Sequence, residues 1–105
     1  FGFSVGLGDY TNSGGLDLIV SAPYEAIGNI SNVGAVHTLK SSYGRITASG
    51  DKVYHPGSSR LGGTAEEYSY FGRRIAYVPS SGFIYANDDL GIGVYRAGSV
   101  WYFNP

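Results

Sequence analysis

The 105-residue sequence predicts an all-β protein made of small antiparallel sheets, and three observations lead there. Tyr, Val, Ile, Phe and Thr come in short runs broken by Gly, Ser and Asn, which is the signature of strands and turns. Glycine contributes 17 residues and aromatics 15 %, while charged residues stop at 14 %. A disordered chain would be poor in aromatics and rich in charge. Finally, three short stretches of the first half recur in the same order in the second half.

The first strand is expected at Phe3, Val5 and Leu7, which alternate with small residues before the polar loop from Asp9 to Gly15. Leu16-Asp17-Leu18-Ile19-Val20 follows, apolar on nearly every position, so the second strand is expected to be covered on both faces. Pro23 ends it, because proline cannot donate to a ladder. Gly34-Ala35-Val36-His37-Thr38-Leu39 reads as the third strand, and the more polar Arg45–Ala48 as a fourth, at an edge.

The second half echoes the first. Phe71-Gly72-Arg73-Arg74-Ile75-Ala76 resembles Phe1-Gly2-Phe3-Ser4-Val5-Gly6. Gly82-Phe83-Ile84-Tyr85-Ala86 lines up with Asp17-Leu18-Ile19-Val20-Ser21, and Gly98-Ser99-Val100 with Gly34-Ala35-Val36. Each repeat is then a sheet of about four strands, the size of a propeller blade. The chain divides into a blade over 1–48, a crossing segment over 49–70 that is rich in Gly, Ser and charge, and a second blade over 71–105. Two such units cannot close a ring of roughly four to eight. The partners this implies are further blades or other copies of the chain.

Charge and composition exclude several functions. The net charge of −1 leaves no basic stripe for nucleic acid, and Arg73-Arg74 is the sole basic doublet. No run approaches the length of a membrane-spanning helix, so no direct membrane insertion is expected. With no cysteine, neither disulfides nor a thiolate metal site can form. The chain lacks methionine and begins Phe1-Gly2, so it is expected to be an excised or processed piece of something longer.

The run Phe1-Gly2, Gly8-Asp9, Gly14-Gly15-Leu16-Asp17-Leu18-Ile19-Val20-Ser21-Ala22-Pro23, closed by Gly34-Ala35-Val36, resembles the FG-GAP repeat family, the blades of the integrin α-subunit β-propeller. Within the family's Gly-Ala-Pro element only the glycine is changed, to Ser21. The second repeat keeps Phe71-Gly72 and Gly98-Ser99-Val100 but ends its middle strand in Ala86-Asn87-Asp88, a degenerate copy. The resemblance implies an all-β fold of two four-stranded FG-GAP blades. It also implies a non-catalytic extracellular module, secreted or at the cell surface, for cell adhesion or for binding a protein or glycan ligand. The same family includes the propeller of glycosylphosphatidylinositol-specific phospholipase D and lectin-like surface proteins, which stand as the two alternatives.

Calcium is the cofactor the first loop suggests. It takes six to eight oxygens, which a short loop supplies from alternate positions around a glycine turn. Asp9, Thr11 and Ser13 stand at positions one, three and five, Gly14 at six, the Gly15 carbonyl at seven and Asp17 at nine. Family members carry Asp or Asn where Thr11 and Ser13 stand here. Two carboxylates predict weak binding, roughly millimolar. The alternative is a polar hairpin whose side chains hold the turn without metal. In the second repeat, Phe71 to Phe83 is 12 positions against 17 from Phe1 to Leu18, so the loop is expected to be five residues shorter, with no metal.

Gly2-Phe3-Ser4-Val5-Gly6 fits the G-x-S-x-G nucleophile elbow, but that motif needs a strand-to-helix turn and no helical period follows Ser4. His37 in mid-strand and His55 beside Pro56 read as surface residues. Asn29-Ile30-Ser31 is an N-glycosylation sequon in a polar loop, which makes Asn29 a modification candidate. Tyr68, Tyr70, Tyr77, Tyr85, Tyr95, Tyr102 and Trp101 have rings able to stack on sugars, but packing between blades is the reading favoured for them.

Overall fold

The structure, a computed structural model, describes residues 1–59, 61–89 and 98–105. Among these the protein is all β with no helix, in three antiparallel sheets of four, two and three strands. The first sheet holds β1 (Val5–Gly8), β2 (Asp17–Ala22), β3 (Ala35–Leu39) and, at its edge, β6 (Lys52–Tyr54), in the order β1-β2-β3-β6. A hairpin of β4 (Ser41–Ser42) and β5 (Arg45–Ile46) forms the two-stranded sheet. The third sheet is a meander of β7 (Ile75–Val78), β8 (Phe83–Asp88) and β9 (Ser99–Phe103). Tyr95 lies outside the described residues.

Two expectations need correction. Arg45–Ala48 is not the fourth strand of the first sheet. Tyr43 and Gly44 both take positive φ, at 51° and 75°, which is the two-residue turn that folds a strand straight back on itself. The chain therefore reverses just after Ser42, and Arg45 pairs with Ser42. The edge is filled instead by Lys52–Tyr54 from the segment read as a crossing, because Tyr54 brings a large ring into the core at 3 % exposure. Four strands were also expected in the second meander; three are present among the described residues.

The second correction concerns register. Val5 pairs with Val20 and Val20 with His37, whereas Ile75 pairs with Ala86 and Ala86 with Trp101. Val20 therefore corresponds to Ala86, and Asp17 to Phe83, one residue away from the sequence alignment. Val5 to Val20 spans 15 positions and Ile75 to Ala86 spans 11, so the second loop is four residues shorter, not five. The error has a physical source: β2 is apolar on both faces, and such a strand gives no alternation to fix its register. The outer strands agree with the alignment, for Ser21 pairs with Val36 as Asn87 pairs with Val100.

The strand ends repeat too. Ser4 N–H donates to Ser21 Oγ at 2.9 Å, and Arg74 N–H donates to Asn87 Oδ1 at 2.7 Å. Ser21 N–H returns a bond to the Ser4 carbonyl, as Asn87 N–H does to that of Arg74.

The core lies between the first and third sheets. Ile19, Val36 and Tyr54 meet Phe71, Ile84, Ala86 and Phe103, all 5 % exposed or less. Backbone pairing closes the seam: Phe71 N–H donates to the Val33 carbonyl at 2.8 Å and Tyr70 N–H to that of Asn32 at 3.1 Å. Gly34, at φ 88°, leaves no room for a Cβ against the Phe71 backbone. Gly8 is likewise required, because the Tyr77 ring lies directly on it.

Candidate functional site

The loop between β1 and β2 is the best-formed polar cluster. Asp9 starts a turn in which Asn12 N–H donates to the Asp9 carbonyl at 3.2 Å, with Asn12 at φ 57°. The Asp9 carboxylate then accepts from the N–H groups of Ser13, at 2.9 Å, and Gly14, at 2.8 Å. Short acidic side chains hold turns in this way.

Asp17, the first residue of β2, is sealed from water at 0 % exposure. Its Oδ2 accepts from the Thr11 N–H at 3.0 Å and the Thr11 hydroxyl at 2.8 Å. Its Oδ1 accepts from the Ser41 N–H at 2.8 Å and the Ser41 hydroxyl at 3.3 Å. Burial acts to raise the Asp17 pKa, but the bonds from Ser41 and Thr11 together outweigh it, and the group is held below the ordinary carboxylate value.

Of the residues singled out for calcium, Thr11 Oγ1 lies 3.2 Å from Ser13 Oγ as well as against Asp17, and Gly15 N–H points to Ser13 Oγ at 3.5 Å. Asp9, Thr11, Ser13, Gly15 and Asp17 thus share one loop. A carboxylate offers about four lone-pair positions, and those of Asp17 are all taken by Thr11 and Ser41. As it stands this arrangement does not fit a calcium ion at Asp17; the Thr11 contacts would first have to open. Among the described residues no three Asp, Glu or His side chains converge as a metal site. A neighbouring pocket lined by Tyr10, Thr11, Thr38, Lys40 and Lys52 adds two positive charges on that side. Burial raises the Tyr10 phenol, opposed by its hydrogen bond with Thr38 and helped by the nearby Asp17 charge.

Ser41 is the residue the sequence did not single out. It is 24 positions from Asp17, and only the β2–β3 register brings it there.

At the opposite ends of the strands stands an aromatic chain. Phe3 meets Tyr24 edge-on at 5.8 Å, Tyr24 meets Tyr70 at 5.4 Å, and Tyr70 meets Tyr68 at 6.2 Å. Phe3, Tyr24 and Tyr68 are about half exposed. The Arg73 guanidinium sits 4.8 Å over the Tyr70 ring and pairs with Asp89 at 3.1 Å. Tyr68 and Tyr70 both have positive φ, 67° and 50°, a strained conformation for residues of this size. Phe3 and Tyr24 were not among the aromatics singled out; they join through the paired ends of β1 and β2. By contrast, Tyr77 and Trp101 pack on the core, and the rings of Tyr85 and Tyr102 meet at a tilt, 5.9 Å apart, on the outer face of the third sheet.

Asn29 is exposed in the short turn where Ile27 and Ile30 pair through two backbone hydrogen bonds. Ser4 leads into a strand rather than a helix, and its hydroxyl donates to the Arg73 carbonyl at 3.0 Å. His37 contacts Glu25 at 3.2 Å, and His55 Nδ1 lies 2.9 Å from the Pro56 carbonyl. Compared with known proteins, the chain matches no family model, no curated protein and no solved structure.

Proposed function

We propose that the chain is a non-catalytic extracellular interaction module of the FG-GAP propeller kind, which meets a protein or glycan partner through the loops at its strand ends. The observation that carries this reading is the recurrence of one meander in two equivalent registers, with Phe71 and Gly72 standing in the second as Phe1 and Gly2 stand in the first. Loops on such a rigid scaffold are where binding residues concentrate.

The aromatic chain from Phe3 through Tyr24 and Tyr70 to Tyr68 supports binding at that end. Tyrosine offers a large, stiff, amphipathic contact at low entropic cost, and Tyr with Arg dominates binding hot spots. Exposure of Asn29 in its turn supports an extracellular, glycosylated chain. Calcium is the cation the loop oxygens would take, at about millimolar concentration, and only at the expense of the Thr11–Asp17 hydrogen bonds.

The test is a glycan array and a panel of extracellular-matrix proteins probed with the chain. Binding is expected, and Tyr24→Ala should weaken it about tenfold, equivalent to ~1.4 kcal/mol. Absence of any ligand, or binding indifferent to both Tyr24→Ala and Tyr70→Ala, would overturn the reading.

A further inference from the structure

The two large sheets meet by unlike faces. In the first sheet, the rungs Val5–Val20–His37 and Leu7–Leu18–Leu39 share a face that points away from the core. Their counterparts in the third sheet, Ile75–Ala86–Trp101 and Tyr77–Ile84–Phe103, point into it. On the edge strand Val5 and Leu7 are each 59 % exposed, whereas their counterparts Ile75 and Tyr77 pack against the core; in the middle of the same face Val20 is already shielded, at 3 %.

The opposite faces show the reverse. Val36 is buried in the core at 0 %, but its counterpart Val100 is 64 % exposed on the outside of the third sheet. Phe1 and Phe71 tell the same story. Phe1 sits edge-on to His37 at 5.1 Å and Phe71 edge-on to Trp101 at 6.4 Å, equivalent ring pairs. Yet Phe71 is fully buried and Phe1 is 78 % exposed.

Each end of the two-sheet unit therefore presents the surface that its other end already knows how to cover. The strand positions on both outer faces carry no Asp, Glu, Lys or Arg; a charge beside the first face is Glu25, and it contacts His37. The internal interface is the template for an external one.

We propose that copies of this chain associate head to tail, the outer face of β7-β8-β9 in one copy seating on the outer face of β1-β2-β3-β6 in the next. Phe1 of the second copy then occupies the setting that Phe71 has within each chain. A heterologous contact of this sort uses two different patches, so it extends from copy to copy until a ring closes or a filament forms. The inference goes beyond the functional reading above: it concerns contact between copies and stands whether or not a ligand binds.

Sedimentation equilibrium on the 105-residue chain tests it. The weight-average mass should exceed the monomer's 11.1 kDa and rise with concentration. Leu7→Lys blocks one face and Val100→Lys the other, so each variant alone should stay monomeric. Their equimolar mixture retains one good face of each kind and should stop at twice the monomer mass. A wild-type chain that stays monomeric overturns the proposal, as does a mixture that stays monomeric while wild type associates. Association of Val100→Lys alone, with Leu7→Lys monomeric, would mean like-face pairing and would also overturn it. Circular dichroism checks that each variant folds, and Val53→Lys with Tyr102→Lys repeats the two arms from other exposed positions on the same faces.

Discussion

Asp17 receives both the backbone N–H and the hydroxyl of Ser41 on a single carboxylate oxygen, at 2.8 and 3.3 Å. The contact ties the start of β2 to the chain just beyond β3. It leaves the other oxygen to hold Thr11, so one buried charge organises three segments.

Asp17 should make the protein acid-sensitive. Its folded pKa lies below the ordinary value of 3.8 that it has when unfolded, so its contribution is complete above the unfolded value. The contribution is lost as pH falls through the folded value. Denaturant midpoints measured from about pH 5 to about pH 2 should fall, and Asp17→Asn should flatten that decline. The same variant puts an amide N–H₂ against donors from Thr11 or Ser41 and should cost about 1–3 kcal/mol at neutral pH.

Calcium should act weakly. With a dissociation constant of about one millimolar, an equal concentration of the ion stabilises by only ~0.4 kcal/mol, a rise of about 2 °C in Tm for a domain of this size. Asp9→Ala should cancel the rise. Differential scanning calorimetry with and without calcium decides it, and a rise several times larger would mean that the Thr11–Asp17 bonds open readily.

Phe71→Ala should cost about 3–5 kcal/mol in a denaturant titration, because the ring is wholly enclosed between the sheets. Phe1→Ala should cost under about 1 kcal/mol in dilute solution, where its ring is mostly in water. Near-equal losses would mean that Phe1 is covered even in the monomer.

Gly34→Ala should destabilise by more than about 2 kcal/mol, since it combines a positive φ with a collision against the Phe71 backbone. Gly14→Ala, at φ 89° but facing open space, should cost less. Thermal melts of the two variants give the comparison.

The sequence showed the strand-and-turn class plainly, because Val36, Ile84 and Phe103 stand in short runs that each open on a glycine, Gly34, Gly82 and Gly98. It showed less about partners. Arg45 and Ile46 look like an edge strand until Tyr43 and Gly44 turn the chain back, a choice made by two backbone dihedrals. The one-residue slip at Phe83 arose because Leu18, Ile19 and Val20 are all apolar and hide the alternation that would have set the register. In the loop, Asp9 and Asp17 were legible as a pair of carboxylates. What occupies Asp17 was not: Ser41 is far along the chain and has no motif of its own. Likewise Phe3 and Tyr24 join the exposed aromatic chain only through strand pairing.

The backbone bonds from Tyr70 to Asn32 and from Phe71 to Val33 fasten one sheet to the other by main chain as well as by side chains. Such a seam opposes hinge motion, so the Tyr24 end of the first sheet and the Tyr70 entry to the third stay at fixed spacing. A partner spanning both would find its contact points already aligned and would lose little freedom in ordering them. Loosening the seam should then weaken that grip chiefly through entropy, with every contacting side chain still in place.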